Sequence, residues 1–360
     1  MSTPGSEPRA ATPAQAIPAT PATAPGTAAK AASAVSASDS RNRAVDGLRV
    51  VSIAGVLLIH VSAWGLQYPH DVWPTLVGSI ARSAVPAFLL VSGYFWARRP
   101  RTGADIRRSV LQLLVPYAIW SAIYLAVEIP TGLRHVPSLA GASLLLLTGT
   151  TAWQLWFLPA LFVCRVVGMW ATDTRWRAIL VLIGAPAFIL AATATNLSPV
   201  ADVVLHESVV GWMSVFFLGM LLAGVRSAKL QPGVVWAVVA ACLAVMALKG
   251  TVPEFGMWGA LGFAAARVVL PAVLLVDATH GGDALGLSRL AIFAPLAFGV
   301  YLVHMLPVDA LRLLGPGWLP VSAGQMAGGW LFVGTVSLAI SWLLGRSRPG
   351  RAVLGESCAG

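Results

Sequence analysis

The chain has few charged residues for its length. Only 11% of its 360 residues are Asp, Glu, Lys or Arg, whereas 57% are hydrophobic. A soluble domain carries roughly 25% charged residues, so this composition excludes a water-soluble protein and indicates lipid contact over most of the surface. We therefore expect an all-α, polytopic membrane protein.

Cysteine and cofactor motifs are also scarce. Cys164, Cys242 and Cys358 are the three cysteines, and their spacing predicts neither a disulfide frame nor a zinc site. The sequence contains no P-loop, glycine fingerprint, metal-ligand cluster or Gly-x-Ser-x-Gly elbow, so we expect no metal and no bound cofactor. The formal charge is +10, but cations that punctuate apolar stretches indicate membrane orientation rather than nucleic acid binding.

Three regions differ in composition. Residues 1–40 are rich in Ala, Pro, Ser and Thr, and we expect a disordered cytoplasmic tail there. A transmembrane domain over 41–346 and a short cytoplasmic C-terminal tail over 347–360 are expected to follow. Insertion is expected to begin with the first spanning helix, because residues 1–40 lack the pattern of a cleavable signal peptide.

Within the domain, about ten apolar stretches approach the ~20 residues that a helix needs to cross a ~30 Å hydrocarbon core. They are 48–66, 76–97, 109–128, 153–171, 178–195, 208–225, 233–248, 257–276, 290–311 and 324–345. The stretch 139–147 is too short to cross and is predicted to be re-entrant or interfacial, with a broken eleventh helix as the alternative.

Basic residues predict the orientation, because Lys and Arg beside membrane helices concentrate on the cytoplasmic side. With the N-terminus inside, the outer loops contain only Arg134, Lys249 and Arg312, while most other flanking cations are inside. An eleventh crossing would spoil this bias. We therefore expect an integral plasma-membrane protein with both termini in the cytoplasm.

Ionisable side chains within apolar stretches are informative, because a cation at mid-depth costs at least ~2.5–3.5 kcal/mol on insertion scales. Arg49 and His60 are eleven residues apart in the first helix, which places them about 20° apart on one face and about 16 Å apart in depth. This spacing would place Arg49 at the cytoplasmic end of the helix and His60, as a candidate general base, in the outer half of the membrane. A packing histidine is the alternative. Arg165 and Arg267 need partners that the sequence does not identify.

Other polar groups are predicted at a depth similar to that of His60. These are Arg82 in the second helix and Tyr301 with His304 in the ninth, where the spacing puts both rings on one face. They are expected to shape a polar cavity, or else to fix packing through interhelical hydrogen bonds.

The second helix also contains Pro86, which is expected to kink it, and Ser92-Gly93, where small side chains permit close approach by a helix or a ligand. Trp156 belongs to an aromatic group at the start of the fourth helix, which is typical of a membrane-interface belt. After the second helix, five arginines are expected to set orientation or to bind phosphates. They are Arg98, Arg99, Arg101, Arg107 and Arg108.

These motifs together resemble the acyltransferase 3 family of integral-membrane O-acyltransferases, from about Arg43 to Leu344. The matching features are Arg49 with His60, Val85-Pro86-x-Phe88 to Ser92-Gly93-Tyr94, Trp156-Phe157-Leu158, and Tyr301-x-x-His304. One departure lies before Pro116-Tyr117, where Gln112 stands near the place at which members usually have the second of two arginines.

The resemblance implies transfer of an acetyl or longer acyl group from acyl-CoA, the co-substrate, to a hydroxyl of a carbohydrate or small-metabolite acceptor, such as a cell-envelope sugar. It implies His60 and Arg49 as catalytic residues. The expected substrate-binding residues are Arg82, Ser92, Tyr94, Trp156, Tyr301 and His304, and the expected donor-binding residues are Arg98, Arg101, Arg107 and Arg108. The alternatives are a secondary transporter or exporter of a small or lipid-linked substrate, and a non-catalytic assembly or sensor subunit.

Overall fold

The computed structural model of the chain describes residues 42–65, 72–138, 141, 143, 151, 152, 154–193, 209–225, 229–251, 256–314 and 322–355. Every regular element in these ranges is helical, as expected of apolar segments that must pair their own backbone groups in lipid. The helices are α1 (Arg43–Gly65), α2 (Val72–Ala81), α3 (Ala84–Ala97), α4 (Gly103–Ser109), α5 (Val115–Glu128), α6 (Phe157–Trp170), α7 (Thr174–Thr193), α8 (Val209–Leu222), α9 (Pro232–Thr251), α10 (Gly256–Thr279), α11 (Ala294–Val303), α12 (Met305–Leu313), α13 (Ala323–Gly345) and α14 (Arg348–Val353). A π-helical segment, Val110–Leu114, joins α4 to α5, and a 3₁₀ segment, Leu287–Phe293, precedes α11.

Helices occupy all ten of the predicted apolar stretches. Five segments are long and apolar enough to cross a membrane, and a bent pair would make a sixth. The five are Arg43–Ala63, Trp73–Ala97, Gly103–Glu128, Trp258–Thr279 and Ala323–Gly345, and the pair is Leu287–Val303 with Met305–Leu313. The shorter apolar helices are Phe157–Trp170, Val209–Leu222 and Pro232–Leu248.

The all-helical membrane architecture is thus confirmed, and the number of ten crossings stays a prediction. So does the orientation of the termini. The predicted tail over 1–40 lies outside the described residues, as does most of the predicted interfacial stretch over 139–147.

The second predicted helix is interrupted before the proline that was expected to kink it. A turn at Arg82 and Ser83 separates α2 from α3, and Pro86 lies in the first turn of α3. Proline has no N–H to donate to the carbonyl four residues earlier, which belongs to Arg82. Arg267 of α10 donates its Nε–H to that carbonyl at 3.3 Å, so a second helix supplies the missing hydrogen bond.

A second break lies at His304, where α11 and α12 meet at a bend of 47°. Pro307 follows in the first turn of α12 and cannot donate to the carbonyl of Val303, which accounts for the interrupted helix. Near the bend, the Tyr124 hydroxyl donates to the Leu302 carbonyl at 2.7 Å.

Close backbone packing fixes α3 against α8. A Cβ atom on Gly93 would lie 1.9 Å from the Phe216 carbonyl oxygen, and one on Gly219 would lie 2.2 Å from the Leu90 carbonyl oxygen. Only glycine allows this approach. Gly93 therefore serves helix packing, and its neighbour Ser92 lines a cavity.

The segment after residue 346 folds against the helices. Val353, at the end of α14, accepts a hydrogen bond from Trp120 Nε1 of α5 at 3.1 Å. Leu354 is buried, and it lines the same cavity as Ser92 together with Gly355. The C-terminal segment thereby contributes to the site described next.

Candidate functional site

A cavity of about 320 Å³ lies between α1, α3, α6, α11 and the π-helical segment. Its polar lining residues are Arg49, Ser92, Gln112, Arg165 and Tyr301, and we call it the arginine cavity. Apolar side chains complete the wall, and no Asp or Glu of the described ranges is among its lining residues. The lining therefore favours an anionic ligand.

A pair of histidines lies next to this cavity. The imidazole rings of His60 and His304 have centroids 5.1 Å apart and are tilted by 45°. His304 is fully buried, and its Nδ1 lies 2.7 Å from the Tyr301 carbonyl oxygen. Because a carbonyl only accepts, Nδ1 is the protonated nitrogen, and Nε2 is left as the acceptor in neutral His304. Nε2 is buried and has no hydrogen-bond partner among the described residues.

Tyr301 connects the cavity with the histidine pair. Its ring lines the cavity, stacks on Phe298 with an interplanar angle of 13°, and lies 6.0 Å from the His304 ring. Its hydroxyl donates to the Gln154 backbone carbonyl. Tyr301 therefore forms the boundary between the two parts of the site.

Sequence reasoning missed a buried polar face on α5. The Ser121 hydroxyl lies 2.7 Å from the Thr151 hydroxyl, Tyr124 bonds to α11, and Glu128 pairs with Arg134 at 2.5 Å. Arg134 also donates to the Thr151 carbonyl at 3.0 Å. The signal was present, because three polar residues at i, i+3 and i+7 share one face of an apolar helix. This face therefore contacts Thr151 through Ser121 and α11 through Tyr124.

Two further buried polar residues were not predicted. Both side-chain amide atoms of Gln154 are buried and make no hydrogen bond of ordinary geometry within the described ranges, although the Tyr124 hydroxyl lies beside them. Asp309 is 1% exposed; its Oδ1 pairs with Arg312 at 3.2 Å, and its Oδ2 has no hydrogen-bond partner in the same ranges. Buried polar atoms are normally satisfied, so these atoms can bind a polar ligand or water.

The predicted donor-binding arginines lie outside the cavity lining. Arg98 donates to the Tyr94 hydroxyl at 2.9 Å, so Tyr94 orients the Arg98 side chain. Arg101 donates to the carbonyls of Phe95 and Trp96 at the end of α3, and its guanidinium also lies 3.5 Å from Asp105.

Two more arginines of that run lie in the last turn of α4. Arg107 and Arg108 are both exposed there.

Arg82 and Trp156 belong to a different neighbourhood, around Arg267. Arg267 is buried, and its guanidinium carbon lies 5.5–6.0 Å from the centroids of three aromatic rings, those of Phe188, Trp212 and Phe263. Trp156 packs on Trp212, with the ring centroids 5.4 Å apart. The backbone carbonyl of Arg82 accepts the hydrogen bond from Arg267. These contacts are the partners of Arg267 that the sequence could not identify.

Among the predicted residues, the structure thus brings Arg49, Ser92 and Tyr301 to one cavity and joins His60 to His304 beside it. The remaining predicted residues do not line that cavity. In the part of the chain that the structure describes, no group of three or more His, Cys, Asp or Glu side chains could hold a metal ion.

Comparison with known proteins gives one match. A family described as an acyltransferase domain, acyltransferase 3, matches residues 42–346. No curated protein and no solved structure matches the chain significantly. The matched range contains α1 to α13, and with them His60, His304 and the five polar lining residues named above, whereas Leu354 and Gly355 of the cavity lie beyond it.

Proposed function

The chain belongs to the acyltransferase 3 family and is a membrane acyltransferase, and from this premise we propose that it transfers an acetyl or other acyl group from acyl-CoA to a hydroxyl of a carbohydrate or related acceptor. The observation that carries the proposal is the contact between His60 and His304 beside Tyr301, which also lines the arginine cavity. Tyr301 thus borders both the arginine cavity and the histidine pair.

His60 acts as the general base in this proposal. The acceptor oxygen attacks the thioester carbonyl, and His60 accepts the hydroxyl proton as the C–O bond forms. The C–S bond then breaks, and the thiolate of coenzyme A takes up the proton from His60. The products are an acyl ester and free coenzyme A, and the histidine returns to its initial state.

His304 is a positioning residue for His60. Its Nδ1–H is fixed by the Tyr301 carbonyl, so its ring has a defined orientation against the His60 ring. A base held in one orientation by a buried neighbour loses less entropy when the acceptor binds. In this proposal, sugar hydroxyls bond to the buried polar atoms of Gln154 and Asp309.

The donor reaches the site from the cytoplasmic side in this proposal, through the arginine cavity. Arg49 lies at the cavity and pairs with Asp46 at 3.1 Å. The exposed cations Arg98, Arg107 and Arg108 attract a polyanionic donor to the same side, because exposed charges of one sign raise its local concentration.

The direct test is release of free coenzyme A by the purified protein in lipid nanodiscs, measured as thiol, with acetyl-CoA and a panel of free and lipid-linked saccharides. We expect acceptor-dependent thiol release together with an O-acetylated saccharide detected by mass spectrometry. Saccharide transport into proteoliposomes without thiol release would instead support the transporter alternative and contradict the enzyme.

A further inference from the structure

A cation of α6 lines the arginine cavity and has no role in the reaction described above. Arg165 donates from Nη1 to the Ser109 hydroxyl at 3.2 Å, and its guanidinium lies 5.5 Å from the centre of the Trp96 ring. Its Nε is buried and makes no hydrogen bond within the described ranges. A buried guanidinium N–H without an acceptor is costly, so the site is incomplete as it stands.

The charges around Arg165 are unbalanced. Arg49 lines the same cavity, and the Arg101 guanidinium lies 4.5 Å from the centre of the Trp96 ring that Arg165 also contacts. Asp46 pairs with Arg49, and Asp105 pairs with Arg101.

In the part of the chain that the structure describes, Arg165 forms no ion pair and no carboxylate lines the cavity. An anion in the cavity would balance this charge, because isolated buried cations are normally paired.

The neighbouring side chains fit a phosphate group. Gln112 lies on the π-helical segment and Ser92 on α3, and both line the cavity, so an amide and a hydroxyl are available beside the two cations. Arginine binds phosphate oxygens through its planar fork of N–H donors. A volume of about 320 Å³ lies within the range of small-molecule sites, roughly 300–1,000 Å³.

We propose that Arg165, together with Arg49, binds the diphosphate of the acyl-CoA donor inside the arginine cavity. This inference rests on the proposed function, since it assumes that acyl-CoA is the donor. It assigns the phosphate contact to a partly buried cation of α6 instead of the exposed arginines of α4. Arg101 is less available for that role, because two backbone carbonyls and Asp105 already occupy its donors.

The test compares binding of coenzyme A and of pantetheine, which lacks the diphosphate, to the purified protein by isothermal titration calorimetry. Arg165→Gln removes the charge and most of the fork. We expect its dissociation constant for coenzyme A to rise about ten- to hundredfold, as for loss of a charge-assisted hydrogen bond, while pantetheine binding stays unchanged. Arg175→Gln, at an exposed arginine of α7, is the matched control and should bind both ligands like the wild type.

The outcomes separate this inference from the function on which it rests. If the wild type does not bind coenzyme A, the proposed donor is wrong. If the wild type binds it and Arg165→Gln binds it equally well, the role of Arg165 is wrong and the proposed function stands. If Arg107→Gln or Arg108→Gln weakens coenzyme A binding and Arg165→Gln does not, the exposed arginines bind the diphosphate and the proposal for Arg165 is wrong.

A second variant covers the case in which Arg165→Gln does not fold. Arg165→Lys keeps the positive charge and loses the planar fork. We expect it to bind coenzyme A severalfold more weakly than the wild type, with pantetheine binding unchanged. Unchanged coenzyme A binding by a monodisperse Arg165→Lys protein would overturn the proposal.

Discussion

The ring of His60 contacts the ring of His304, with the two centroids 5.1 Å apart, although the residues come from opposite ends of the chain. His60 is on the first helix, and His304 is at the bend between α11 and α12. The bend matters because it places an imidazole inside the bundle at the point where the helix is interrupted. Because the rings are in contact, we expect His60 and His304 to act as one unit, which leads to the first two predictions.

His60→Ala should lower the rate of acyl transfer by about 10²–10⁴-fold, because a positioned histidine base contributes that much. The measurement is acceptor-dependent thiol release at saturating acetyl-CoA. His135→Ala is the control, since His135 is exposed in the segment after α5 and should be dispensable. Near-normal activity of a His60→Ala protein that inserts and accumulates would refute the role of His60.

His304→Ala should also lower the rate, and its effect should disappear when His60 is already absent. Residues that act as a unit show strongly non-additive losses, because the positioning residue has nothing left to position. The measurement is a double-mutant cycle with His60→Ala, His304→Ala and the combined variant. Additive losses would show that the two histidines act independently.

Tyr301→Phe should reduce stability modestly and keep the aromatic packing. The change removes the hydrogen bond to the Gln154 carbonyl, which costs about 0.5–1.5 kcal/mol, while the ring can still pack on Phe298 and Phe157. Thermal unfolding in detergent measures the effect. Tyr301→Ala should cost more because it also removes the ring; equal losses in the two variants would contradict the separate contribution of the ring.

Gly93→Ala should destabilise the protein by about 1–3 kcal/mol or more, because the new Cβ would overlap the Phe216 carbonyl oxygen and force α3 away from α8. Gly328→Ala, in α13, is a matched control with no neighbouring atom within 4 Å. It should shift stability by no more than about 1 kcal/mol. Accumulation in membranes and thermal unfolding would report both effects, and a stable Gly93→Ala protein would contradict the close packing.

Hydrophobic stretches were enough to predict helices in the ten long apolar segments, because lipid leaves the backbone few alternatives. Local spacing also predicted that Tyr301 and His304 would share a face. It could not predict the break at Arg82, since the hydrogen bond that stabilises it comes from Arg267 on a distant helix. Long-range contacts of this kind leave no local pattern.

The positions of the arginines also depend on long-range contacts that the sequence does not show. The concentrated charges of the run after α3 indicate membrane orientation or phosphate binding, and donor binding by this run stays a prediction. The structure shows Arg101 bonded to the end of its own helix and Arg165 at the cavity. A single arginine in an apolar helix indicates a buried charge but not the direction it faces, because that depends on how α6 packs against its neighbours.

Tyr301 has one further consequence, for the permeability of the membrane. Ionisable groups on both sides of it could conduct protons if water connected them across the bilayer. Tyr301 is stacked on Phe298, and Phe157 lies edge-on against Tyr301, so a cluster of three aromatic rings lies where the arginine cavity meets His304. We expect these rings to keep water from joining the two parts of the site, so that polar chemistry inside a membrane would not dissipate an ion gradient.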